Sequence, residues 1–219
     1  MSNKRNPIHY LAVCAMFTAV AYVAVLVCKP IPGVAGFLSY EAKDAVIVIA
    51  GFILGPLSCV AISVLTSLIE MLTISDTHLI GFLMNVLSTC AFTVPAVLLY
   101  KRLHTQKGAV IGLCVGVLAM SVTMVAWNYL ITPLYMNVDR SVVTGMLLKV
   151  FLPFNLVKGG LNAGLTLLLY KPIVTALRKA GLVPASSGRK GRFSPGFLLF
   201  SLVILATFVL LLLVLLGVI

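Results

Sequence analysis

Apolar runs about as long as a bilayer is thick recur along this chain, and that recurrence is what most limits the folds open to it. A membrane-crossing helix needs about 20 predominantly apolar residues to span a ~30 Å hydrocarbon core. Such runs read as His9–Val27, Tyr40–Leu54, Leu57–Thr73, Leu79–Tyr100, Ala109–Tyr129, Phe151–Tyr170 and Phe197–Ile219. The period-2 alternation of a membrane barrel is missing from them. With 61% hydrophobic and only 10% charged residues, the chain is far from a soluble domain, where about a quarter are charged. The expectation is an all-α integral membrane protein.

The second run is the short one. From Asp44 to Gly55-Pro56 there are only about ten apolar residues, ~15 Å of helix, so it must carry the polar SYEAKD segment into the outer half of the bilayer. The alternative is one kinked helix over Ala45–Thr73. Positive charge decides between them, because cytoplasmic loops collect Lys and Arg. With seven spans and the N-terminus inside, Lys4, Arg5, Lys101, Arg102, Lys107, Lys171, Arg178, Lys179, Arg189, Lys190 and Arg192 all fall on the cytoplasmic side, most of the 16 Lys and Arg. Merging the two runs would put the basic loops outside, so Gly55-Pro56 is expected to be a tight inner turn. The net charge of +11 thus reports topology and is not read as a nucleic-acid surface. The five cysteines, Cys14, Cys28, Cys59, Cys90 and Cys114, stand singly without metal-ligand spacing and are expected to be buried, reduced small hydrophobes.

Within Phe151–Tyr170 lies FLPFNLVKGGLN, which puts Lys158 about seven residues, ~10 Å, inside a membrane helix. Asn155, Lys158 and Asn162 share one helical face, and Gly159 and Gly160 allow another backbone to approach. A lysine at this depth either snorkels to the headgroups or lines a site. The five acidic residues, Glu41, Asp44, Glu70, Asp76 and Asp139, all fall on or near the outer side. The Pro- and Gly-containing connection Cys28–Asp44 either covers something or is a plain surface loop. Glu70, close to the outer end of its run, is expected at the interface. Asn85 lies about as deep as Lys158, and Asn128 follows Trp127 at the outer end of the fifth run, where Trp127 and Tyr129 suit an interfacial aromatic belt. Together Glu41, Asn85, Asn128, Asn155 and Lys158 are expected to form a polar pocket open to the outside. Its amides suit the imide-like edge of a heterocycle, and its lysine a carbonyl or hydroxyl. GxxxG spacings at Gly51/Gly55, Gly108/Gly112/Gly116 and Gly160/Gly164 predict close helix packing. No phosphate loop, HExxH or GxSxG occurs, and His9, His78 and His104 are too scattered to suggest a metal.

The segments KDAVIVIAGFILGPL, TSLIEMLTIS, WNYLITPLYM and FLPFNLVKGGLN, in that order, resemble the riboflavin-binding S-component family of energy-coupling factor (ECF) vitamin transporters, over roughly residues 8–180. The resemblance implies a six-helix membrane bundle, not an enzyme, that captures riboflavin at the outer face of a bacterial cell membrane. Riboflavin is then cargo and no resident cofactor is implied. The partners it implies are the transmembrane coupling protein EcfT and two cytoplasmic ATPases, besides the surrounding lipids and with no nucleic acid. It assigns riboflavin contacts to Glu41, Asn128, Asn155 and Lys158, and contact with the coupling protein to Ala15 and Ala19. The chain departs from the pattern at its end. The expected organisation is a binding domain over 1–180, a basic cytoplasmic linker over 181–196, and an additional membrane helix over 197–219. A membrane enzyme acting on a lipid or polyprenyl substrate, or a self-contained secondary transporter, are the competing readings.

Overall fold

A computed structural model describes residues 7–75, 77–182 and 195–219. Asp76 and the basic residues Lys4, Arg5, Arg189, Lys190 and Arg192 of the topology argument lie outside the described residues, as does most of the expected linker. The described chain is helical: α1 (Pro7–Cys28), α2 (Lys43–Leu54), α3 (Pro56–Thr73), α4 (His78–Leu103), α5 (Gln106–Met136), α6 (Arg140–Met146), a π turn (Leu147–Phe151), α7 (Leu152–Lys179) and α8 (Pro195–Leu215). The π turn closes with Leu152 N–H donating to the Leu147 carbonyl, so α6, the π turn and α7 run on as one 40-residue helix over Arg140–Lys179.

Six of these helices are long and apolar enough to cross a membrane, among the described residues. The remaining expected span, α2, is the short one, and with the preceding loop it carries the chain from the side where α1 and α3 both end, Lys29 Nζ donating to the Ile74 carbonyl at 3.1 Å, to Gly55 beside Lys101 at the end of α4. The 12 residues of α2 reach only ~18 Å, and they run through the protein interior, enclosed by α1, α3, α4 and α7. Ile47, Val48, Ile49 and Ala50 pack with Val13, Phe17 and Ala21 of α1, Ile62 of α3, Phe92 and Ala96 of α4, and Met120 of α5. The split from α3 is as expected. Gly55 takes φ 124° and ψ 174°, a conformation that a side chain disfavours, and Pro56 opens α3 where its missing N–H costs nothing.

Small residues set the helix spacing. On α5, Gly112 sits where a Cβ would come within 2.6 Å of the Ala96 carbonyl oxygen, and Gly116 is pressed against Phe92 in the same way, so α4 and α5 are in backbone contact. Gly160 and Gly164 of α7 receive Phe208 and Leu205 of α8. The Lys29–Ala42 connection is not a plain surface loop. Val34 and Leu38 exchange backbone hydrogen bonds of 2.9 and 3.0 Å, and Val34, Leu38 and Tyr40 pack on Val143, Phe151, Phe154 and Val157. Of the cysteines, Cys14, Cys28 and Cys59 are buried, but Cys90 is half-buried and Cys114 exposed on the outward face of α5. A solitary cysteine is apolar enough to face lipid, so burial did not follow from its hydrophobicity. Trp127 is half-buried against the core, while Tyr129 is exposed with the Arg140 guanidinium 5.3 Å from its ring centroid.

Candidate functional site

Because α2 is too short to span by itself, its N-terminus opens inside the protein, and the unpaired N–H groups of its first turn need partners there. One comes from α7. Asn162 Oδ1 accepts from Ala45 N–H at 3.0 Å, while Asn162 Nδ2 donates to the Glu41 carbonyl and to the Lys158 carbonyl, each at 3.0 Å. One fully buried amide therefore fastens the end of the loop, the start of α2 and the middle of α7. Asn162 was placed on the Asn155–Lys158 face by its spacing, and the structure gives it this fastening duty.

The same fastening brings five charged side chains together. Lys43, 1% exposed, places its Nζ 2.6 Å from Glu70 Oε2 and 2.9 Å from Glu41 Oε2. Lys158 Nζ reaches the same Glu41 oxygen at 3.4 Å. Asn85 Nδ2 donates to Glu70 Oε1 at 3.0 Å, and Thr89 Oγ1 donates to Asp44 Oδ1 at 2.6 Å. Removing one member from such a buried set strands its partner's charge, at a cost of about 3–5 kcal/mol. Glu41 lies on the loop, outside the spanning helices. Burial alone would raise its carboxyl, but the Lys43 and Lys158 ammoniums outweigh that and hold it well below the usual carboxylate range.

Of the expected pocket residues, Glu41 and Lys158 meet directly, and Asn85 joins them through Glu70 and Lys43. Asn155 and Asn128 are buried but bonded within their own helices. Asn155 Nδ2 donates to the Phe151 carbonyl at 2.7 Å, Asn128 Nδ2 to the Met124 carbonyl at 2.7 Å, and Asn128 Oδ1 accepts from Thr132 at 2.8 Å. Glu70 corrects its expectation. It is buried and bonded to Lys43 and Asn85, because the N-terminus of α2 packs over the outer end of α3. Lys43 and Asp44 were read as loop charges and are the first residues of α2, both buried. The shortness of the second apolar run was the signal that could have found them. Ala15 and Ala19, with Ala12, are exposed on the outward side of α1.

Chemically, the arrangement is a buried wall of alternating carboxylates, ammoniums and amides. It offers hydrogen-bond donors and acceptors to a polar guest. A lysine ammonium has three N–H donors, and Lys158 gives Glu41 one long contact.

The family model for the ECF transporter, substrate-specific component, matches residues 9–170. The chain is 28% identical over 158 residues to the riboflavin transporter FmnP of Bacillus subtilis, covering 68% of this chain and 83% of that protein. It is 26% identical over 175 residues to the riboflavin transporter RibU of Staphylococcus aureus, covering 77% and 92%. Over 188 residues it is 28% identical to the RibU of Streptococcus thermophilus, covering 82% and 87%. In fold it is similar to a solved S component of a bacterial ECF transporter, with a TM-score of 0.68 and 24% identity over 79% of this chain and 99% of the other. A bundle of six long helices with a buried polar wall, matched by that family model over most of its length, makes this chain a member of the ECF transporter substrate-specific component family, a multi-pass membrane subunit of a transporter and not an enzyme.

Proposed function

We propose that this chain captures riboflavin at the outer face of the bacterial cell membrane and delivers it inward together with EcfT and two cytoplasmic ATPases. The observation that carries the reading is the buried contact of Glu41 with Lys158, which joins the covering loop to the mid-membrane face of α7 in a chain similar to three riboflavin transporters. In this reading Glu41 and Lys158 serve the ribityl hydroxyls and ring carbonyls. Asn85, Asn128 and Asn155 supply amides to the remaining polar edge. The isoalloxazine ring itself needs apolar cover, which Phe151 and Phe154 at the outer end of α7 supply.

The N-terminus is cytoplasmic in this proposal, and residues 1–180 form the binding domain. Residues 181–196 form a basic cytoplasmic linker, and 197–219 an additional helix. Ala15 and Ala19 face the coupling protein, because small residues let helices approach closely in lipid. The test is direct. Protein purified in detergent carries flavin absorbance or quenches the fluorescence of added riboflavin in a saturable, one-to-one manner. A pure, folded sample that does neither overturns the reading.

A further inference from the structure

Glu41 touches two lysines, and they are not equivalent. Lys43 is the nearer at 2.9 Å, and it is itself anchored at 2.6 Å by Glu70, whose other oxygen is bonded to Asn85. Lys158 stands at 3.4 Å, and among the described residues Glu41 is the carboxylate within ion-pair distance of it. We propose that Lys43 and Glu70 are positioning residues for the ligand. Glu70 fixes Lys43, Lys43 holds Glu41 ionised in its place, and Lys158 is thereby released to turn its ammonium from Glu41 to the incoming guest.

The physical argument is one of charge. Two acids, Glu41 and Glu70, face two ammoniums, Lys43 and Lys158, with Asp44 beside them bonded to Thr89. If Lys43 were absent, Glu41 would depend on Lys158 alone and Glu70 would be left without a cation. Lys158 would then stay closed on Glu41, since two buried carboxylates sharing one ammonium cannot release it cheaply. With Lys43 present, Glu41 keeps a full-strength partner when Lys158 leaves. The order of the distances is the one this exchange needs, the shortest contacts lying farthest from α7. Other titratable groups around the set are Asp44 on α2, bonded to Thr89, Tyr40 on the loop and Cys28 at the end of α1.

The proposal rests on the riboflavin reading above, and the test separates the two. Riboflavin affinity is measured by fluorescence quenching in detergent between about pH 5.5 and 8.5 for the parent, Lys43→Met, and Lys43→Met/Glu70→Gln. The parent binds with an affinity that is flat across this range. Lys43→Met binds at least about tenfold more weakly at neutral pH and recovers part of the loss in acid, where one of the two crowded carboxyls takes up a proton. The double variant removes the charge stranded on Glu70 and regains stability, but Glu41 still depends on Lys158 alone, so it stays at least about tenfold weaker than the parent at neutral pH and recovers part of the loss in acid. A purely structural Lys43 instead gives a double variant that binds within about fivefold of the parent at every pH. If Lys43→Met alone does not fold, the double variant decides, with a loss like that of Lys158→Met that acid partly restores supporting the proposal and affinity near the parent's overturning it. Parent-like affinity of Lys43→Met at every pH, or a double variant that binds like the parent, sinks the proposal alone. A folded parent that does not bind riboflavin sinks the ligand reading and this proposal with it.

Discussion

Gly160 of α7 lies against the ring of Phe208 of α8 with no room between them for even a methyl group. The C-terminal helix is therefore seated on the back of the same helix that carries Lys158, two residues along and about 200° round from it. Overfilling a packed contact of this kind costs about 1–3 kcal/mol. Gly160→Val is expected to lower the thermal unfolding temperature of the full chain in detergent. In a chain ending near Ser187 the same substitution is expected to be nearly silent, and that shortened chain is expected to insert and bind riboflavin. Equal destabilisation in both backgrounds, or loss of binding in a stable truncation, contradicts the seating and an anchor role for α8.

Lys158→Met and Asn155→Leu are each expected to weaken riboflavin binding by about 1–3 kcal/mol, by taking a hydrogen bond from a buried polar ligand. The fold survives the first change because Glu41 keeps Lys43 at 2.9 Å. Fluorescence titration is the measurement. Unchanged affinity in both variants would show the sixth crossing's polar face to be structural.

Asn162→Leu leaves Ala45 N–H and the Glu41 carbonyl without their partner. An unsatisfied buried backbone group costs about 1–3 kcal/mol, so this variant is expected to lose more stability than Asn155→Leu, whose amide bonds only within its own helix. It is also expected to lose affinity, since Glu41 is positioned by that carbonyl contact. Thermal unfolding and titration on the same samples separate the two effects. A variant as stable as the parent would mean that α2 is held by its apolar side chains alone.

Ala15→Trp/Ala19→Trp is expected to bind riboflavin like the parent yet fail to copurify with the coupling protein and ATPases, and to abolish uptake in cells. Both residues are exposed on α1, on the opposite side of the helix from Val13, Phe17 and Ala21, which enter the core. Loss of riboflavin binding in the folded double variant would place the partner's docking surface elsewhere.

What could be read in the sequence was whatever depends on local apolar length and charge. The long crossings, the turn at Gly55-Pro56 and the polar face of Lys158 all follow from counting residues along one helix. The part that escaped was created by contacts across the chain. Glu70 is near the outer end of its helix, where an acid ordinarily meets water. It is buried because Lys43, 27 residues earlier, is brought over it. Lys43 looked like a loop residue because its burial depends on α2 ending inside the protein, and that in turn depends on Asn162, far along the chain. The short second span keeps its place in the same way, since a twelve-residue apolar helix can be enclosed by its neighbours while the polar segment before it makes up the rest of the path.

The π turn at Leu147–Phe151 also bears on how this family can change over time. Such a turn holds one residue more than an α-helical turn, so removing one residue there would close it to ordinary α geometry while Asn155, Lys158 and Asn162 kept their heading. The same deletion a few residues later, inside α7, would swing the whole polar face by about 100° toward lipid. Leu147–Phe151 is thus the place along this crossing where a change in length can be absorbed, and gaps between relatives that keep the binding face are expected to gather there.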